Sequence, residues 1–232
     1  MHIELTMREQ NLLNHLIAIP PNFEDTRSFL NTESMTNDEI TRVAIEYATI
    51  CFCEAGDYML DNNLPYTTQV VPDLHSTYIL DVISFLLPYG LDPNGIYENE
   101  NLMELLRFVD NGFLAADTLS LLLEHGGNYD LETNGETLFE SVDFDVFFDA
   151  VEQYIRPRFA STVHLWMVLI GFGARNENWT GKLFKEYDTL EPFDLQKLRN
   201  HNNYYFGVTR KDGAPSISFF DKETLWEVAR IS

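Results

Sequence analysis

Basic side chains are scarce in this chain. Lys and Arg number 15 against 37 Asp and Glu, and only four of the 15 lie in residues 1–153. Affinity for a phosphate backbone comes from Lys and Arg neutralising phosphates, so direct nucleic-acid binding is not expected here. Cysteine is nearly absent. Cys51 and Cys53 stand two apart in an expected helix, where their side chains point away from one another and cannot be bridged. A reducing, cytoplasmic setting is the natural expectation. No apolar run approaches the ~20 residues that a spanning helix needs, and Met1-His2-Ile3-Glu4 lacks the basic start of a signal peptide. No membrane association is therefore expected.

Catalytic signatures are missing as well. The chain has no G-x-S-x-G elbow, H-E-x-x-H helix, C-x-x-C pair or phosphate loop. Its six histidines, His2, His15, His75, His125, His164 and His201, keep no metal-ligand spacing. His164 lies in an apolar helix and reads as a packing residue. His125 falls in a helix's last turn, where the dipole favours a protonated ring. The carboxylates Asp143, Asp145, Asp149 and Glu152 interleave with an apolar stripe, which fits an amphipathic helix rather than a cation site. No cofactor, no metal and no enzymatic activity are expected. The alternative is an enzyme or small-ligand site in a groove between the helical part and the C-terminal segment, using His201 or clustered carboxylates.

What is present is internal similarity. Residues 86–94 (LLPYGLDPN), 122–130 (LLEHGGNYD) and 169–177 (LIGFGARNE) each run from an apolar helix end into a glycine and then polar turn residues. Residues 51–60 (CFCEAGDYML) look like a weaker copy. The glycines Gly56, Gly90, Gly126 and Gly173 are spaced 34, 36 and 47 residues apart, which is the mark of stacked helical repeats. Glycine suits such corners because it enters the left-handed conformation without a Cβ clash.

Apolar periodicity predicts helices over residues 7–20, 38–55, 76–89, 101–110, 114–125, 137–154 and 160–171. Gly56 is expected to stop the second of these, and residues 57–72 to form a loop. After a short helix at 194–200, residues 204–208 and 216–220 are rich in aromatic and β-branched side chains, with Asp212-Gly213 between them. Asp-Gly is a strong hairpin signal, and a second turn at 221–224 would make a small antiparallel meander. The competing expectation is a degenerate terminal helical repeat, because Gly213→Leu225 repeats the 12-residue step of Gly90→Leu102 and Gly126→Leu138.

Over roughly residues 40–185, and best within 102–138, the chain resembles the ankyrin-repeat family. Asn111-Gly112-Phe113 is similar to its inter-helix turn, residues 121–127 (LLLEHGG) to the end of its second helix, and residues 90–94 (GLDPN) to its G-A-D-P-N corner. No copy carries the complete T-P-L-H element. The expected architecture is mostly α: an N-terminal helical cap (1–56), divergent ankyrin-like repeats (57–185) and a C-terminal cap with a β-hairpin or meander (186–232). Another αα-solenoid is the alternative. The resemblance implies a protein-binding module whose fingers carry Leu91, Asp92, Asn94, Ile96 and Tyr97, then Asn128, Tyr129, Leu131 and Glu132. A third finger would carry Arg175, Asn176, Asn178 and Trp179. Tyr97, Tyr129 and Trp179 are the expected anchors, since aromatics dominate binding hot spots. Residues 1–153 hold 28 acidic and 4 basic side chains, so a basic protein partner is expected, such as a basic toxin held by an immunity-type inhibitor. A plain solubilising surface is the simpler use of such charge.

Overall fold

The structure is a computed structural model. It describes residues 5–61, 76–109, 112–139, 158–174, 181–183, 194–211, 214–225 and 227–231. The chain divides into two compact units, Met1–Asn128 and Tyr129–Ser232. It is mostly α with a C-terminal β part.

The first unit is helical. Helix α1 (Met7–Leu16) turns inward Leu12, Leu13 and Leu16, which share one face at helical spacing. Helix α2 (Phe23–Thr32) follows, with Asn22 accepting the Asp25 N–H at its start. No helix was expected there. Its signals were the Asn22 cap and the first-turn Glu24 and Asp25, but its apolar face is short and interrupted. Helix α3 (Asn37–Asp61) is the longest, and Ile40, Val43, Ala44, Tyr47 and Ala48 are fully or almost fully buried along it. It does not stop at Gly56 as expected. A helix-interior glycine costs only about 1 kcal/mol, too little to end a helix without a left-handed turn. The loop expected at 57–72 is thus helical through Asp61, and its remainder lies outside the described residues.

A 3-10 turn, Ser76–Tyr78, leads into α4 (Ile79–Leu86), which buries Ile79, Val82, Ile83 and Leu86. Then come α5 (Leu102–Leu105), extended by the 3-10 turn Leu106–Phe108, and α6 (Gly112–Glu124). Helix α1 packs on α2 and α3, α3 on α4 and α5, and α4 on α6.

The second unit is built on α7 (Arg158–Phe172) and an antiparallel sheet. Residues 164–170 are buried without a polar stripe, as befits a helix enclosed on all sides. The 3-10 turn Leu195–Arg199 packs against it. The Arg199 Nε donates to the Gly171 carbonyl at 2.9 Å, and its guanidinium lies 4.0 Å from the centroid of the Phe172 ring. The helix expected over 137–154 falls mostly outside the described residues.

The C-terminal segment is β. Strands β6 (Tyr204–Lys211), β7 (Ala214–Asp221) and β8 (Glu227–Ile231) form the expected meander, joined by β5 (Gly181–Leu183) in the order β5-β8-β7-β6. The competing terminal helical repeat is overturned by the continuous pairing from Tyr204↔Asp221 to Lys211↔Ala214. Tyr204, Phe206 and Val208, and likewise Ile217 and Phe219, recur at a two-residue period, which a helix would scatter over its surface.

Two further hairpins precede these strands: β1 (Ile96–Tyr97) with β2 (Glu100–Asn101), and β3 (Glu132–Thr133) with β4 (Glu136–Thr137). Every residue of the second stands 36 positions after its counterpart in the first.

Candidate interaction surface

Each of the three clear sequence copies ends its helix in the same way. Gly90, Gly126 and Gly173 have φ of 106°, 94° and 119°. The N–H that follows each glycine bonds back five residues: Leu91 to the Leu86 carbonyl, Gly127 to Leu122, and Ala174 to Leu169. This is the Schellman closure, in which a left-handed residue lets a later N–H satisfy an orphan helix carbonyl. The acceptors Leu86, Leu122 and Leu169 open the three aligned stretches. His125 adds a further cap, its Nδ1 lying 2.9 Å from the Leu121 carbonyl.

The turn after Gly90 is tied to the corner at Gly126. Asn94 Nδ2 donates to the Gly126 carbonyl at 2.9 Å, and Asn94 Oδ1 accepts the Asn128 N–H at 2.7 Å. Asp92 accepts the Asn94 N–H, and its own N–H donates to the Thr41 hydroxyl. Asn101 caps α5 by accepting from Met103 N while donating to the Pro93 and Gly95 carbonyls. Asn94 therefore serves as a bridge between corners, which leaves its amide little capacity for a partner.

The expected anchors differ in availability. Leu91 is 5% exposed and belongs to the core. Tyr97 is half-buried, with the Arg42 guanidinium 5.4 Å from its ring centroid. Tyr129 is also half-buried, and its hydroxyl stands 3.1 Å from where a Cβ on Gly173 would sit. Asp92, Asn128 and Glu132 are exposed, and Leu131 is half-buried. Arg175, Asn176, Asn178 and Trp179 lie outside the described residues. Ile96 is 48% exposed on β1, an apolar side chain beside exposed Glu98.

The hairpin tips carry a feature that composition did not reveal. Glu98 and Asn99 have φ of 50° and 68°, and their counterparts Asn134 and Gly135 have 54° and 86°. Two consecutive positive φ values are what a tight two-residue hairpin turn requires, and Asn-Gly is the favoured pair for it. A glutamate in the first position is uncommon. The 36-residue offset was the signal that would have placed this turn, since it lays Glu98-Asn99 over Asn134-Gly135.

Electrostatically, the first unit keeps its few cations occupied. Arg8 pairs with Glu39, Arg42 with Glu9, and Arg107 with Glu104 at 3.4 Å. The Arg27 guanidinium lies 6.0 Å from the Phe85 ring centroid. Those four arginines are the only Lys or Arg side chains up to residue 128, and no lysine precedes Lys182. Glu9 and Glu39 each belong to a capping box, with Thr6 and Thr36. Each also takes the arginine of the other helix, so α1 and α3 are braced reciprocally.

Burial alone would raise the Glu9 carboxyl, but the Thr6 hydroxyl, the Thr6 N–H and Arg42 together hold it below its ordinary value. The Thr36 N–H is the main cause that lowers Glu39, against burial, with the Thr36 hydroxyl and Arg8 adding to it. Arg42 and Arg107 are half-buried while Arg8 and Arg27 are exposed, and exposed Glu24, Asp25, Glu33, Asp38, Asp81, Asp92, Glu98 and Glu124 outnumber them on the outside of the unit.

Other chemistry is sparse among the described residues. No group of three or more His, Cys, Asp and Glu is placed to hold a metal, and no helix is long and apolar enough to cross a membrane. Cys51 is buried. His201 is 1% exposed and packs on His164. No family model, no curated protein and no solved structure matches this chain.

Proposed function

We propose that this chain is a non-catalytic protein–protein interaction module, built as an ankyrin-like stack, whose acidic surface takes a basic protein partner. The observation that carries the proposal is the repeated corner. Left-handed glycine, Schellman closure and a hairpin six residues later recur at Gly90 and Gly126 with a 36-residue offset. Repeats of this kind present exposed turn residues, which suits contact with a folded partner.

The charge supports the kind of partner. Exposed carboxylates that far outnumber the exposed arginines attract a cationic surface from a distance, and that attraction weakens with salt. Asp92, Glu98, Asn128 and Glu132 are the exposed finger side chains best placed to meet it, with Ile96 as the apolar contact. An immunity-type inhibitor of a basic toxin has this character. The family assignment and the partner class both rest on this reading.

The test is an affinity pull-down from the native organism's lysate at low and then moderate salt, read by mass spectrometry. One basic protein recovered in stoichiometric amount at low salt, and depleted at moderate salt, is expected. An acidic or neutral partner held equally at both salts would remove the electrostatic basis of the proposal.

A further inference from the structure

His164 and His201 are 37 positions apart in sequence, yet their rings meet in the second unit. The centroids are 5.3 Å apart in an edge-on arrangement, and the Phe206 ring stands 6.2 Å from His164. The two side chains are 5% and 1% exposed. His164 lies on α7, and His201 lies in the 3-10 turn His201–Asn203 that leads into β6. The pair therefore sits at the seam where the helix meets the start of the sheet.

We propose that this buried imidazole pair is a proton sensor that loosens the seam as pH falls through the histidine range. One added proton leaves a neutral ring beside it. A second puts two like charges 5.3 Å apart where water cannot screen them. The unfolded chain accepts both protons at the ordinary histidine value of about 6.5.

The charged groups around the seam reinforce this. The Leu195–Arg199 turn against α7 brings Lys197 and Arg199, the latter already bonded to the Gly171 carbonyl. Lys222 donates to the Asn202 carbonyl at 2.7 Å, beside His201. Of the carboxylates, Asp194 accepts the Gln196 N–H, and Asp221 accepts from the N–H groups of Glu223 and Thr224. Arg158 starts α7 and Arg210 and Lys211 end β6, each at least four positions from the pair. Tyr204, Tyr205 and Glu227 are the remaining titratable groups of the adjoining strands with described side chains.

The molecule supplies its own reporter. His164 and His201 are the only histidines after residue 128, and Trp166, Trp179 and Trp226 are its only tryptophans. Tryptophan fluorescence of the full chain therefore follows the unit that holds the pair.

The experiment is urea unfolding of the full chain at pH 7.5, 6.5 and 5.5, followed by that fluorescence. The unfolding constant is expected to rise about 4-fold between pH 6.5 and 5.5 if the folded pair keeps one proton, and about 30-fold if it keeps none. His201→Phe should reduce the rise. Imidazole NMR of the wild-type chain gives a second measurement that does not depend on the variant's folding. A rise below twofold would overturn the proposal. So would two independent histidine titrations near pH 6.5 with the tryptophan fluorescence still that of the folded chain.

Discussion

Glycine does three different things in this chain, and each leads to a different consequence on mutation. At Gly126 φ is 94° and nothing lies within 4 Å of where a Cβ would sit, so Gly126→Ala isolates the conformational cost. It should destabilise by about 1 kcal/mol. At Gly171 the backbone is helical, but a Cβ would meet the Arg199 backbone N at 2.7 Å. Gly171→Ala should separate α7 from the following turn and cost about 1–3 kcal/mol despite better helix propensity. Chemical denaturation of the two variants checks both, and a Gly171→Ala chain as stable as the wild type or more so would show that the close approach at Gly171 is unimportant.

Gly56 is the third case, a glycine inside a helix. The corner glycines were legible because polar residues occupy the second to fourth positions after them, as at Asp92 and Asn94 or Asn128 and Asp130. After Gly56 the single polar Asp57 gives way to Tyr58, Met59 and Leu60, which continue a helix. The pairing of His164 with His201 was not legible at all. Contacts between residues 37 apart depend on how the helix and turn pack, which no local pattern encodes.

Among elements, the two short hairpins offer a controlled comparison because their backbones match while their tips differ. Replacing Glu98-Asn99 with Asn-Gly, the pair at 134–135, should stabilise the first unit by about 0.5–1 kcal/mol through relief of the left-handed glutamate. A rise in the melting midpoint checks it. An unchanged or lower midpoint would mean that Glu98 is held there by contacts that offset its strain.

The brace between α1 and α3 gives the opposite sign. Arg42→Met leaves Glu9 buried without its guanidinium and should cost about 3 kcal/mol. Glu9 and Glu39 both titrate below their ordinary value of 4.5 in the folded state. The folded chain therefore binds fewer protons than the unfolded chain just below pH 4.5. Their stabilisation is complete above that pH and is lost as pH falls through the folded values. Arg42→Met should flatten this acid limb, which a series of melts between pH 3 and 6 would show.

Sequence periodicity reached α1, α3, α4, α6 and α7 because each carries several buried apolar positions at helical spacing. It missed α2, whose described buried residue is Thr26, and β5, which is only three residues long. The meander was legible through Asp212-Gly213, and the structure decided between it and the terminal helix.

For the whole molecule, charge and repetition support one account. The chain carries a formal charge of −22, and the first unit holds 20 carboxylates against four arginines, each of which meets a carboxylate or an aromatic ring. Of the finger residues named from sequence, the polar ones at 92, 128 and 132 are exposed, while Leu91, Tyr97 and Tyr129 are wholly or partly packed into their own unit. Sequence reasoning found the 36-residue offset, which the backbone keeps in the corners at Gly90 and Gly126 and in the hairpins that follow them. It could not tell which aromatic faces outward, since that depends on Arg42 and Gly173 lying beneath them.

The measurement that bears most directly on this account is the association rate of the partner recovered at low salt. It would be compared between the wild-type chain and the D92N/E98Q/E132Q variant across ionic strength. Steering by the finger carboxylates predicts at least a roughly tenfold slower association for the variant at low salt, with the two chains converging as salt rises. Equal rates at low salt would contradict it and leave the acidic surface as a solubilising one.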